Sequence, residues 1–115
     1  MAKTPEGRIK SATEAYLASI DVVSAGRAAT ITPQHKGWYY KPVSIGMGVH
    51  GIPDFLGHYQ GFFFTIETKV PGKDPTPLQQ HQIAAVNKTG AVAFVVRCVE
   101  DLQYMETWRQ KISKK

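Results

Sequence analysis

The chain has 115 residues, 43% of them hydrophobic and 20% charged, a composition that is typical of a globular protein and excludes a disordered one. This length predicts a single domain, residues 1–115, that is long enough to bury a modest core. The formal net charge of +5 favours a polyanionic partner, because each Lys or Arg placed on a phosphate releases counterions, although many small soluble domains are also basic.

Neither a membrane span nor a secretory signal is expected. No apolar run approaches about 18 residues, and no charged segment is followed by an apolar leader. The single cysteine, Cys98, has no second cysteine with which to form an internal disulfide, and this is typical of a protein in a reducing cytoplasm.

The first predicted element is a helix over about residues 4–25. Its apolar stripe, with residues at three- and four-residue spacing, consists of Ile9, Thr13, Tyr16, Ile20 and Val23. A capping box at Ser11 to Glu14 leaves open a start at Ser11, and Gly26 is expected to end the helix. Glu14 lies on the shoulder of the stripe, where it can reach the edge of the core.

An aromatic strand and a glycine-rich loop follow. Residues 27–36 are predicted to form a partly extended connection, and residues 37–43 a strand. Trp38, Tyr39 and Tyr40 are interpreted as core and sheet surface, with a base-stacking platform as the alternative. Residues 44–51 contain three glycines and are predicted to be a loop.

A hairpin is predicted next, with strands at residues 53–59 and 62–70 and a tight turn at Gln60-Gly61. Alternation along the second strand predicts that Phe63, Thr65, Glu67 and Lys69 share one face. The opposite face carries apolar residues, and the near-continuous apolar run favours a sheet that is covered on both sides.

The remaining residues predict a helix, a strand and a second helix. Thr76 is the expected N-cap of the first helix, which ends near Thr89, and Gln79 completes its capping box. Residues 91–97 predict a hydrophobic strand, and residues 99–111 an amphipathic helix before a basic tail. A strand–helix–strand passage is usually a right-handed parallel crossover, so a mixed sheet flanked by helices is expected.

Two carboxylates and a lysine stand at the ends of the hairpin strands. Asp54 and Glu67 can converge on one cation, and the backbone carbonyl of Thr68 can supply a third oxygen. Mg²⁺ and Mn²⁺ prefer such hard oxygen ligands. Lys69 can orient a water or stabilise charge that develops on a phosphate. The pattern predicts a metal-dependent nuclease site; the alternatives are a turn carboxylate after proline and an exposed polar strand end.

Five motifs occur in the order typical of one nuclease family. They are a helix bearing Glu14, Gly51 to Asp54, Ile66 to Lys69, Thr76 to Gln79 at a helix start, and Gly90 before a hydrophobic strand. Pro53-Asp54 with Glu67-Thr68-Lys69 resembles the PD-(D/E)xK signature, and the whole set resembles the VRR-NUC family over about residues 11–105. The implied fold is α/β, a restriction-endonuclease-like core of order α-β-β-β-α-β, which agrees with the order of elements predicted above; the C-terminal helix follows it.

The resemblance implies roles for individual residues. Asp54 and Glu67 would bind Mg²⁺ or Mn²⁺, Lys69 would be the catalytic lysine, and Gln79 a further active-site residue. Glu14 would contact the metal directly or through water. Glu14 and Gln79 also fit capping boxes, so the capping role stays open for both.

The resemblance also implies a partner and a setting. Small standalone members are similar to homodimeric enzymes that act on branched DNA such as four-way junctions, in the cytoplasm of a bacterial or phage-infected cell. Residues expected to contact DNA phosphates are Arg27, Lys36, Lys41 and Lys73. The alternatives are a non-catalytic DNA-binding module and another PD-(D/E)xK enzyme of restriction type.

Overall fold

A computed structural model of the chain describes residues 4–43 and 48–113. Residues 44–47 of the predicted glycine-rich loop and residues 114–115 of the predicted basic tail lie outside these ranges. In the described part of the chain, no helix combines the length and the apolar character needed to cross a bilayer.

The first helix, α1 (Pro5–Ser19), begins near the predicted residue and ends earlier than predicted. The Thr4 hydroxyl caps it by accepting a hydrogen bond from the Gly7 backbone N–H at 3.0 Å. The alternative start at Ser11 is therefore wrong. Asp21 has a φ of 65°, a left-handed conformation that a helix cannot continue through, so the predicted extension to residue 25 is wrong as well.

A short strand that the sequence did not predict, β1 (Val22–Ser24), follows α1. A 3₁₀ helix (Ala25–Thr30) then leads to β2 (Gly37–Tyr40), which pairs parallel with β1. The predicted order α-β-β-β-α-β is confirmed with this one additional strand.

The predicted hairpin is formed by β3 (Phe55–Tyr59) and β4 (Phe62–Thr68), which pair antiparallel. Gln60 and Gly61 both have positive φ values, 49° and 86°, as a two-residue hairpin turn of type I′ requires.

The C-terminal half contains α2 (Pro77–Lys88), β5 (Val92–Val96) and α3 (Leu102–Ser113), with a 3₁₀ turn (Val99–Asp101) before α3. Strand β5 pairs parallel with β4, so the predicted crossover is confirmed. The five strands form one mixed sheet in the order β1-β2-β3-β4-β5.

The main core lies between one face of the sheet and the helices α1 and α3. Leu17, Phe55, Tyr59, Phe64 and Ile66 are completely buried there. The ring of Trp108 packs edge-on against Phe64 and Phe94, joining α3 to the sheet.

The opposite face of the sheet is covered in part by α2, which contacts β5. Thr65 and Glu67 point to this face and are buried, whereas Phe63, on the same face of β4, is 42% exposed. The sheet therefore has helices on both sides, as predicted, but α2 leaves part of its own side open.

Candidate active site

Asp54 lies immediately before β3 and is held in place by the last residue of β4. Its Oδ2 accepts hydrogen bonds from the backbone N–H of Thr68 at 2.8 Å and from the Thr68 hydroxyl at 2.7 Å. Thr68 is completely buried, so its hydroxyl is fixed by its surroundings. The predicted pairing of the two strand ends thus places Asp54 at a defined position.

Glu67 is 4% exposed, and its carboxyl group lies close enough to that of Asp54 for the two to interact. Burial raises the pKa of Glu67 well above its usual range, and the hydrogen bond and charge of Asp54 raise it further. Burial alone would also raise the pKa of Asp54, but hydrogen bonds from Glu67 and Thr68 and the charge of Lys10 lower it. The pKa values of the two carboxyl groups are thus shifted in opposite directions, upward for Glu67 and downward for Asp54.

Two lysines add positive charge to the carboxylate pair. Lys10 of α1 places its Nζ 3.7 Å from Asp54 Oδ1. Lys69 follows β4, where its backbone N–H donates to the Val96 carbonyl at 2.9 Å. The charges of both lysines favour the ionised form of Glu67.

The start of α2 comes close to the site through Gly51. Gly51 has a φ of 81°, and a Cβ at this position would lie 2.5 Å from the Leu78 carbonyl oxygen. Only glycine combines this conformation with so close an approach. As a result Gln79, Gly51 and Glu67 line one small cavity between α2 and the sheet.

The capping role predicted for Gln79 is confirmed. Its side-chain Oε1 accepts from the Thr76 backbone N–H at 2.8 Å, and its own N–H donates to the Thr76 hydroxyl at 3.2 Å. Because Gln79 also lines the cavity with Glu67, a role in the active site is compatible with this geometry and stays a prediction.

Glu14 does not join the carboxylate pair in this structure. Its Oε1 lies 2.6 Å from the Nζ of Lys41, and it also interacts with the Tyr39 hydroxyl. Since α1 begins at Pro5, Glu14 is inside the helix rather than at its start, and the capping-box interpretation is wrong. Its role as a metal ligand stays a prediction.

The residues predicted to contact DNA lie in several places. Arg27 and His35 line a cavity of about 220 Å³ beside β1. Lys36 is exposed directly before β2, and Lys41 is paired with Glu14. Lys73 lies in the loop after β4, where its carbonyl accepts from the Arg97 side chain at 3.2 Å.

The donor set at Asp54 and Glu67 fits a hard divalent cation. Two neighbouring carboxyl groups, of which Glu67 is buried and Asp54 partly buried, form a pair whose negative charge a divalent ion can neutralise. Within residues 4–43 and 48–113, no group of three or more His, Cys, Asp and Glu side chains is arranged to hold an ion. Two carboxylates suit Mg²⁺, which usually completes its shell with water and substrate phosphate.

Lys10 was not identified from the sequence as a site residue. It precedes Glu14 by four residues, so both lie on the same side of α1, and this spacing is the signal that could have identified it. For Gly51 the sequence predicted only a place in a glycine-rich loop. Its close approach to α2 was not predicted, because that depends on where a helix distant in the sequence begins.

Comparison with known proteins places this geometry in a class. The mixed five-stranded sheet with helices on both faces is a restriction-endonuclease-like α/β fold. A solved structure described as a VRR_NUC domain is similar to this chain with a TM-score of 0.66 and 22% sequence identity, covering 91% of this chain and 97% of that one. The likeness confirms the VRR-NUC resemblance at the level of the fold. No family model and no curated protein matches the sequence.

Proposed function

We propose that the chain is a divalent-metal-dependent deoxyribonuclease that hydrolyses phosphodiester bonds. The observation that carries this proposal is the placement of Asp54 and Glu67 side by side at the ends of the hairpin strands, with Lys10 3.7 Å from Asp54 and Lys69 two residues after Glu67. The VRR_NUC-like fold supports the proposal, since the pair lies where the family's Pro-Asp and Glu-x-Lys motifs meet.

In this proposal Asp54 and Glu67 hold a Mg²⁺ or Mn²⁺ ion, with the Thr68 carbonyl as a candidate third oxygen. When bound, such an ion polarises the scissile phosphate and lowers the pKa of an attacking water. Thr68 fixes the orientation of Asp54 through its N–H and hydroxyl. Lys69 stabilises negative charge that develops on the phosphate.

Lys10 balances the charge of Asp54 from the side of α1. Gln79 is a further active-site residue in this proposal, because it lines the same cavity as Glu67. Glu14, which pairs with Lys41 in this structure, is the candidate helix carboxylate that contacts the ion directly or through water.

The charge of the chain supports a nucleic-acid partner, and four basic residues are the candidates for contacting it. The net charge of +5 supports DNA as the partner, with Arg27, Lys36, Lys41 and Lys73 as phosphate contacts. The family resemblance supports branched DNA, including four-way junctions, as the preferred substrate and the cytoplasm as the setting.

Cleavage of a DNA panel tests the proposal. In a panel of linear, flapped, splayed and four-way DNA, the branched forms should be cut faster than linear DNA with Mg²⁺ or Mn²⁺, and none should be cut in EDTA. Lys69→Ala should abolish cutting while the fold is kept. Lys88→Ala, at an exposed lysine in the last turn of α2, is the matched control and should cut normally. Salt-sensitive binding without cutting under any divalent ion would instead identify a non-catalytic DNA-binding module.

We further propose that the protein acts as a homodimer, because two symmetric sites can cut opposing strands of a junction. Sedimentation at micromolar concentration should give the mass of two chains. A monomer that cleaves junctions fully would refute the dimer and leave the nuclease proposal intact.

A further inference from the structure

In the described part of the chain, no α-helix lies over one part of the sheet, and this part carries aromatic side chains. Cross-strand partners point to the same face, and the register pairs Trp38 with His58, Tyr40 with Leu56, and His58 with Phe63. This surface, called the open face below, consists of Trp38, Tyr40, Leu56, His58 and Phe63.

The open face is accessible, in contrast to the core on the other side of the same strands. Tyr40 and Phe63 are 43% and 42% exposed, and Trp38 is half-buried. Tyr39 lies between two residues of the open face but points to the opposite side, where it is 5% exposed. Burial in the core therefore accounts for an aromatic side chain at Tyr39, but it does not account for those at Trp38 and Tyr40.

The aromatic rings of Trp38 and Tyr40 on β2 are nearly parallel to each other. The planes of Trp38 and Tyr40 lie within 15° of each other, with ring centroids 6.3 Å apart. An open sheet with aromatic residues on its strands is a common platform for unpaired bases, because every base has a flat face on which to stack.

The open face is continuous with the candidate active site. Along β4 the same face carries the exposed Phe63 and then Thr65 and Glu67, which α2 covers, so the open face ends beside α2 and the carboxylate pair. None of the five residues of the open face is acidic, and the exposed Lys36 stands directly before β2. A chain with a net charge of +5 is complementary to a polyanion here.

We propose that the open face stacks the unpaired bases of a DNA strand whose phosphodiester lies at Asp54 and Glu67. The substrate class is then DNA with unpaired nucleotides beside the cut, such as a flap or a splayed arm, in preference to a fully paired duplex. This inference rests on the proposed nuclease function for its cleavage site, while base stacking can be measured without cleavage.

Tryptophan fluorescence reports stacking directly. Oligothymidylate of about ten nucleotides is added to the full chain in EDTA, where no cutting occurs. Trp108 is in the core against Tyr59, Phe64 and Phe94, so quenching by a stacked base should come from Trp38. Trp38→Phe should remove the quenching. Quenching that persists in Trp38→Phe, or none in the unaltered chain, would overturn the proposal.

Binding of the same probe to aromatic variants gives a second measurement. Tyr40→Ala should weaken binding about fivefold or more, since loss of one stacked base has roughly this effect. The dependence of binding on salt should not change, because no phosphate contact is removed. Tyr104→Ala is the matched control, since Tyr104 is an exposed aromatic residue on α3, and it should bind normally.

Three further outcomes separate this inference from its rivals. If Tyr40→Ala converts a dimer to a monomer and the probe neither binds nor quenches, the open face is a contact between copies and the proposal is wrong. If the chain cuts duplex and splayed DNA equally well and Tyr40→Ala changes neither rate, the nuclease proposal stands and the stacking proposal falls. If the probe stacks but no DNA is cut, the stacking proposal stands and the nuclease proposal falls.

Discussion

At the scale of single residues, the position of Asp54 depends on two hydrogen bonds from Thr68. Thr68→Val keeps the backbone N–H and removes the hydroxyl at 2.7 Å from Asp54 Oδ2. Because the partner is a half-buried carboxylate, we expect the free energy of unfolding to fall by about 1–3 kcal/mol, with a large loss of DNA cleavage. Urea unfolding and a cleavage assay measure the two effects.

Thr13→Val is the matched control for Thr68→Val. Thr13 is equally buried, and its hydroxyl donates to the Ile9 carbonyl at 2.8 Å, a group that already accepts a helical N–H. We expect a smaller change in stability and normal cleavage. Equal loss of cleavage in both variants would show that buried threonines matter only for folding.

A second residue-scale prediction concerns Glu106, which links the two helices on the core side. It accepts hydrogen bonds from Tyr16 of α1 and from Arg109 and Gln110 of α3, at 2.6–2.8 Å. Hydrogen bonds, first those from Arg109 and then those from Tyr16 and Gln110, together lower the pKa of Glu106 from 4.5 to about 2. The ionised form is thus favoured in the folded state.

A depressed pKa stabilises the fold above the unfolded-state pKa, and this stability is lost as the pH falls through the folded-state pKa. Glu106→Gln should therefore lower the free energy of unfolding by about 1–2 kcal/mol at neutral pH, after allowance for partial exposure. The difference between the two proteins should shrink between pH 4.5 and about 2. Thermal unfolding across that range measures it, and a constant difference would contradict the assignment.

Residue roles could be predicted from the sequence only where they depend on local spacing. Asp54 and Glu67 were predicted as a pair because a tight hairpin brings together the ends of its strands. The contact of Glu14 with Lys41 was not predictable. The connection between the two residues includes residues 27–36, whose sequence has too little periodicity to predict the course of the chain.

At the scale of elements, the approach of the Gly51 loop to α2 determines how the cavity beside Glu67 is closed. Gly51→Ala places a methyl group 2.5 Å from a backbone carbonyl and requires a left-handed alanine. We expect a loss of about 3 kcal/mol or more in unfolding free energy, together with loss of cleavage, because the start of α2 must move.

Gly72→Ala separates the close approach from the backbone conformation. Gly72 has a similar φ of 87°, but a methyl group at this position would have no atom of the described chain within 4 Å. It should lose about 1–2 kcal/mol and retain cleavage. If both variants lost the same free energy of unfolding, the close approach of Gly51 to α2 would make no contribution to stability.

The unpredicted strand β1 shows why element boundaries were harder to predict than element types. Ile20 and Val23 continue the spacing of the α1 stripe, so the helical pattern runs past the true end of the helix. The break comes from Asp21 in a left-handed conformation, for which Gly or Asn is the usual signal. By contrast, Thr76, Pro77 and Gln79 carry a complete capping signal, and the start of α2 was predicted correctly.

At the scale of the whole molecule, the sheet separates the core from the candidate site. Helices α1 and α3 cover most of one face, while the other face carries Glu67 beneath α2 and the aromatic open face beside it. The fold was predictable because hydrophobic periodicity marks α1, the hairpin and α3, and a capping signal marks the start of α2. The open face was not, because Trp38 and Tyr40 differ from Tyr39 only by the side of the strand to which they point.

Asp54→Asn tests whether the carboxylate pair performs metal-dependent DNA cleavage. This isosteric change removes one charge from the pair, and Asp74→Asn is the control, since Asp74 is an exposed aspartate whose partner is Arg97. With Mg²⁺ or Mn²⁺ and splayed or four-way DNA, we expect at least about a 100-fold loss of cleavage rate for Asp54→Asn and none for Asp74→Asn. Equal cleavage by the two variants would show that Asp54 and its pair with Glu67 do not perform the cleavage.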